Sequence, residues 1–126
     1  MFDESSPIYR QIANQIKADV LSGALRGDEP IMSTNQYAAF YRVNPATVGK
    51  AFQQLVDEGV LYKRRGIGMF VAPGAREMLL ARHRERFFTD VVDPMAKQAA
   101  TLGIPIADII RHLESLAQED GDERAS

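Results

Sequence analysis

Two helix-forming patterns in this sequence are separated by only three residues, Arg42–Asn44. A connection of that length is helix-turn-helix spacing. The first pattern opens with Ser33 and Gln36, spaced as a reciprocal cap at the head of Thr34–Tyr41. The second opens with Asn44 and Pro45, a cap and a first-turn residue whose missing N–H costs nothing there. It runs to about Glu58 and is ended by Gly59. Val48, Phe52, Leu55 and Val56 fall on one face as the expected buried stripe. The opposite face carries Ala46, Thr47, Gly49, Lys50, Gln53 and Gln54, which are short, polar or cationic.

Upstream, Ser6 as N-cap and Pro7 at the first position predict a helix with Ile8, Ile12, Ile16 and Val20 in one stripe, flanked by Ala13 and Leu21 and stopped at Gly23. Ala24–Met32, with Gly27, Asp28 and Pro30, reads as a loop. Downstream of Gly59 the period changes. Val60–Arg64 and Met69–Val71 read as short strands around Arg65-Gly66-Ile67-Gly68, a hairpin turn. Ala72–Ala75 reads as a linker, and a helical pattern follows. Pro94 should kink or divide that helix at Asp93, and Gly103 should end it. Ile106, Ile109, Ile110, Leu113, Leu116 and Ala117 define a last helix, with Glu119–Ser126 as a frayed acidic tail. The expected architecture is mainly α with a small β-hairpin. A winged helix-turn-helix occupies 1–72, a linker 73–75, a short all-helical dimerisation region 76–120 and a disordered tail 121–126.

Composition narrows the chemistry. With no Cys there is no disulfide framework, thiolate metal site or cysteine nucleophile, and two His (His83 and His112) are read as surface side chains. No metal and no cofactor is expected. The sequence shows no apolar run of membrane-spanning length and no secretory signal, so the expectation is a cytoplasmic protein with no membrane partner. The formal net charge of −2 hides an asymmetry: Arg42–Arg65 holds five basic and two acidic residues, whereas residues 87–126 hold three basic and eight acidic. A polyanion would meet the first half. No paired carboxylate or activated nucleophile stands in a defensible setting, and Gly66-Ile67-Gly68 lies in a hairpin instead of a strand–helix turn. An enzyme is therefore not expected.

A helix read by the major groove presents the side chains of its first turn to base edges, and its free N–H groups to phosphate. Here that turn is Pro45-Ala46-Thr47, capped by Asn44. Ala46 and the Thr47 methyl suit a thymine methyl, Asn44 a base edge, and Lys50 and Arg42 phosphates. In the hairpin, Lys63, Arg64 and Arg65 form a cationic tip, and Gly66 permits close backbone approach to a groove.

The segments PIYRQIANQI (7–16), SGAL (22–25), VNPATV (43–48), LVDEGVLY (55–62) and RRGIGMFV (64–71) together resemble the amino-terminal domain of GntR-type bacterial transcription regulators. VNPATV and the short C-terminal part resemble the YtrA-type subfamily. The resemblance implies a winged-helix DNA-binding domain, a homodimer on a double-stranded DNA operator, and regulation of a transport operon. It places Ser33 and Asn35 in the DNA-binding set. It also exposes departures. Asn35, Pro45 and Gly49 stand where family members carry arginines, and Met69 where a small hydroxyl residue is usual. Each lost bidentate Arg–guanine contact removes roughly 1–3 kcal/mol of discrimination, so reading should lean on DNA shape, methyl contacts and the wing.

Tyr37, Phe40 and Tyr41 are read as core, and Gln53, Gln54, Arg82, Arg84 and Arg86 as solvated helix surface. About fifty C-terminal residues enclose little core alone. A second copy would bury Phe87, Phe88, Val91, Val92, Met95, Leu102, Ile106, Ile109, Ile110 and Leu113 across a two-fold interface. The sequence identifies no small-molecule effector. The combined reading is a homodimeric, sequence-specific transcription regulator, a repressor in preference to an activator, on a short palindromic operator. The competing reading is a winged-helix protein-interaction adaptor with weak DNA binding.

Overall fold

The computed structural model describes residues 2–125, with side chains through Gly121. The chain divides into two compact units, Met1–Arg82 and His83–Ser126.

In the first unit, α1 (Ile8–Ser22) buries Ile12, Ala13, Ile16 and Val20. Its start differs from the sequence reading. Pro7 has the extended ψ of 139° and is itself the N-cap, with no side-chain cap. Its carbonyl accepts from the Arg10 and Gln11 N–H groups, while the Gln11 side-chain amide donates to the Ser6 carbonyl at 2.8 Å. Ile8, in the first turn, stays exposed. Helix α2 (Thr34–Tyr41) has the expected capping box: the Gln36 N–H donates to Ser33 Oγ at 3.1 Å, and the Ser33 N–H to Gln36 Oε1 at 3.0 Å. Tyr37 and Ala38 are buried and Tyr41 packs against the core, but Phe40, read as core, is 67% exposed. At about 100° per residue, Phe40 points roughly 110° away from the direction the other three share.

Arg42 adopts the left-handed conformation (φ 55°) that turns the chain. Helix α3 (Pro45–Asp57) then buries Val48, Ala51, Phe52 and Leu55 against α1 and α2. Ala51, on the opposite flank of the stripe from Val56, is buried as well, and Val56 is half-buried against the core. Strands β1 (Leu61–Arg64) and β2 (Gly68–Val71) pair antiparallel, Leu61 opposite Val71 and Arg64 opposite Gly68. Gly66 at φ 79° supplies the left-handed turn residue between them.

Two segments read as irregular are tied down. The loop before α2 runs along β2: Asp28 N–H donates to the Val71 carbonyl at 2.7 Å, and Ile31 N–H to the Met69 carbonyl at 3.0 Å. Pro30, with no N–H to give a ladder, disguises this strand-like edge in the sequence. The expected linker is only the turn at Pro73–Gly74. Helix α4 (Ala75–Phe87) starts at once, Ala75 and Leu79 are buried in the N-terminal core, and Arg76 Nε donates to the Leu21 carbonyl at 3.0 Å. A Cβ on Gly27 would lie 3.2 Å from Pro73 Cα, so that turn is seated closely on the loop.

In the second unit, a π-helical stretch (Phe88–Val92) precedes α5 (Asp93–Thr101), and α6 spans Ile106–Ala125. The disturbance expected at Pro94 takes this π form. Proline has no N–H for the Asp90 carbonyl, and widening the turn so that Asp93 N–H reaches the Phe88 carbonyl accommodates the gap. Gly103 (φ 71°) follows the end of α5. The tail expected to fray from Glu119 and to be disordered over 121–126 instead continues α6 to Ala125, with Gly121 inside the helix and no Pro to break it; Ser126 lies outside the described residues. Among the described side chains, Ala99 is buried, Val92 and Ile109 are half-buried, and Phe87, Phe88, Val91, Met95, Leu102, Ile106, Ile110 and Leu113 are exposed. No described helix is long and apolar enough to cross a membrane.

Candidate nucleic-acid interface

The N-terminus of α3 is built by its cap. Asn44 Oδ1 accepts the Ala46 N–H at 2.8 Å, which commits the side-chain oxygen and leaves the amide N–H groups for a ligand. Ala46 is exposed and Thr47 half-buried beside it. One turn on, Lys50 is exposed and its Nζ lies 4.1 Å from the centre of the Tyr9 ring on α1. Arg10 Nε donates to the Tyr9 hydroxyl at 3.2 Å, so the start of α1 adds a second cation next to Lys50. Tyr9 and Arg10 were not singled out from the sequence. Their signal is an aromatic–cation pair in the first turn of α1, with half-buried Tyr9 continuing the Ile12–Ile16 stripe and Arg10 off it.

An interhelical ion pair links α1 to the end of α3. Lys17 Nζ on α1 meets Glu58 Oε1 at 2.7 Å, and Gln54 donates to Glu58 Oε2 at 3.1 Å. Burial would raise the Glu58 carboxyl. The hydrogen bonds from Lys17 and Gln54, with the charges of Lys17 and Arg82, outweigh it and hold the carboxyl below its ordinary value.

On the wing, Lys63, Arg64, Arg65 and Gly66 are all exposed. Arg64 lies over the Phe70 ring at 4.8 Å and the Tyr62 ring at 5.7 Å, and those two rings stack. The Tyr62 hydroxyl donates to Asp28 Oδ1 at 2.7 Å, which raises the phenol above its ordinary value and ties the wing to the loop before α2. The arrangement pre-orders Arg64, whereas among the described residues Lys63 and Arg65 have no such support.

These elements converge. A shallow groove of about 320 Å³ is bordered by Ser33 and Thr34 from the start of α2, Gly49 and Gln53 from α3, and Lys63 and Met69 from the wing. Ser33 and Lys63, far apart in sequence, therefore share one wall with α3. Gln53, read as plain surface, lies in this groove, although its amide also donates to Asp57 at 2.9 Å. Asn35 and Arg42 are exposed near the two ends of α2; neither they nor Asn44, Ala46, Thr47, Lys50, Arg64, Arg65 and Gly66 border the groove, so of the residues expected from the sequence it gathers Ser33 and Lys63. His83 and His112 are exposed, and among the described residues no cluster of His, Asp and Glu is placed to hold a metal ion.

Comparison with known proteins agrees with this architecture. The model of the gntR family of bacterial regulatory proteins matches residues 8–71. The HTH-type transcriptional repressor NagR of Bacillus subtilis (strain 168) is 34% identical over 113 residues, 88% of this chain and 44% of that protein. The repressor YtrA of the same organism is 34% identical over 76 residues, 60% of this chain and 58% of that one. The chain thus spans about half the length of these two curated relatives. The DNA-binding domain of AraR, solved in complex with operator ORX1, matches with a TM-score of 0.54 at 30% identity, covering 57% of this chain and 93% of that one. These relatives are named as regulators and not as enzymes. A winged helix with α3 capped at Asn44, matched by the family model from α1 to the end of the wing, places the chain in the GntR family of DNA-binding bacterial transcription regulators.

Proposed function

We propose that this chain acts as a homodimeric, sequence-specific repressor of transcription on a short palindromic operator, that of a transport operon as in the YtrA-type reading. The observation that carries this is the shared face formed by the start of α2, α3 and the cationic wing. Ser33, Asn35, Arg42, Asn44, Ala46, Thr47 and Lys50 engage one half-site in the major groove and on its phosphates. Lys63, Arg64, Arg65 and Gly66 engage the adjacent minor groove. With Asn35, Pro45 and Gly49 in place of arginines, methyl contacts and groove shape supply more of the discrimination than guanine forks do.

Dimerisation supplies the second reading head. Phe88 and Leu102 are each 65% exposed, and with Phe87, Val91, Met95, Ile106, Ile110 and Leu113 they make the second unit's surface far more apolar than a monomer sustains. Half-buried Val92 and Ile109 join the same face. A second copy related by a two-fold axis covers it and sets two heads on half-sites about one helical turn apart.

The test is a fluorescence-anisotropy titration of the protein against DNA from upstream of its own coding region and against a scrambled duplex, at two salt concentrations. Preferential binding that weakens steeply with salt is the expected result. Equal, weak binding to both duplexes overturns the sequence-specific reading, and a flat salt response overturns the phosphate contacts.

A further inference from the structure

Away from the DNA-facing groove, a cavity of about 240 Å³ opens between α1, the strand-like loop and α2. Its walls are mostly apolar, with Leu25, Ile31 and Met32 prominent, and three polar side chains interrupt them: Asp19, Tyr37 and Tyr41. Asp19 is the one charged residue lining it. Its carboxylate accepts only the Gln15 amide, at 3.1 Å, and it makes no ion pair among the described residues.

Tyr37 is more than nine-tenths buried, yet its hydroxyl has no hydrogen-bond partner among the described residues. Among the described residues no fully enclosed polar atom is left unpartnered, so this hydroxyl keeps some access to solvent, and Tyr37 is one of the residues that line the cavity. The Tyr37 and Tyr41 rings pack on one another with centroids 4.4 Å apart, and Phe52 meets Tyr37 in a T-shaped contact at 5.7 Å, so the wall they form is held in place. Burial first, then Tyr41 and Asp19, push the Tyr37 phenol up to about 12, so it remains a neutral hydroxyl and feels the Asp19 charge.

We propose that this cavity binds a small organic ammonium ion with an apolar body. The ammonium donates to the Asp19 carboxylate and the Tyr37 hydroxyl, and the apolar body packs on Leu25, Ile31 and Met32. An anion is refused, because no basic residue lines the cavity and Asp19 repels it. A neutral analogue leaves Asp19 without its counter-charge. The site is independent of the DNA-binding assignment. The Ile31–Met32 wall is also the segment that bonds to the wing at Met69 and leads directly into the Ser33 cap.

The experiment titrates the full chain with benzylammonium, benzyl alcohol and benzoate at physiological salt, following tyrosine fluorescence, which no Trp obscures. Saturable binding of benzylammonium, at least tenfold tighter than either analogue, is expected. Asp19→Asn should weaken it at least tenfold and Tyr37→Phe severalfold, each with a thermal melt to confirm folding. No saturation by benzylammonium, equal binding of benzyl alcohol, or full affinity in a folded Asp19→Asn variant overturns the proposal. Should the variants fail to fold, the three probes on the unaltered protein still decide the charge requirement.

Discussion

The Lys50 ammonium stands 4.1 Å from the centre of the Tyr9 ring, so α3 and α1 hold this cation between them. Such an exposed cation–π contact is worth about 0.5–1 kcal/mol, which holds Lys50 in place without neutralising it. We predict that Lys50→Ala lowers DNA affinity for all sequences alike and reduces the salt slope by about one. Tyr9→Leu should keep the slope and lose affinity only severalfold. Anisotropy titrations over a salt series check both; an unchanged slope in Lys50→Ala removes Lys50 from the phosphate contacts.

Asn44 carries two assignments, cap and base reader, and one substitution separates them. Serine caps a helix about as well as asparagine, so Asn44→Ser should melt within a degree or two of the unaltered protein while losing the amide donor. Asn44→Ala should cost about 1 kcal/mol of stability. If Asn44→Ser binds the operator as tightly as before, the residue is a cap alone.

The Lys17–Glu58 pair should make stability depend on pH in acid. The folded-state carboxyl lies below its ordinary value of 4.5. Its contribution is therefore complete above that value and disappears as pH falls through the lower, folded one. For a partly exposed pair this amounts to about 0.5–1 kcal/mol. Denaturant melts from pH 7 to pH 3 should show Glu58→Gln less stable at neutrality, with the difference closing in acid. A gap that stays constant across the range would falsify the linkage.

Phe88 begins the π-helical stretch and is 65% exposed. Placing a carboxylate there should prevent a two-fold apolar contact, so Phe88→Asp is expected to sediment as a monomer and to bind a palindrome far more weakly than the parent. A dimer of undiminished strength would move the interface off this face.

The reading head was legible because each boundary carried local chemistry. Ser33 with Gln36, Asn44 with Pro45, and Gly59 fix helix ends through hydrogen bonds and backbone torsions that depend on near neighbours. What escaped depends on distant partners. Nothing local to Pro30 says that Asp28 and Ile31 bond to β2, and nothing in the charged run after Gly74 says that Ala75 and Leu79 fill the N-terminal core. Phe40 misled because hydrophobicity alone was counted, whereas angular position on so short a helix leaves it outside. In the candidate site, the cationic wing and the α3 face were readable, but the contribution of Tyr9 and Arg10 required the crossing of α1 with α3. The cavity walled by Asp19, Leu25, Ile31 and Tyr37 likewise gathers residues from three segments and has no contiguous motif.

The burial of Ala75 and Leu79, with Arg76 holding the last turn of α1, decides where this protein can be cut. A fragment ended after Val71, the last residue of the family pattern, strips Leu79 from the core at a cost of roughly 1.5–3 kcal/mol and should melt early or not fold. One ended at Arg82 retains every buried residue of the head, and the two melting curves will tell them apart. The seam for any excised or grafted head therefore runs through the middle of a helix, and the loop that looks like the natural place to divide the chain is the wrong one.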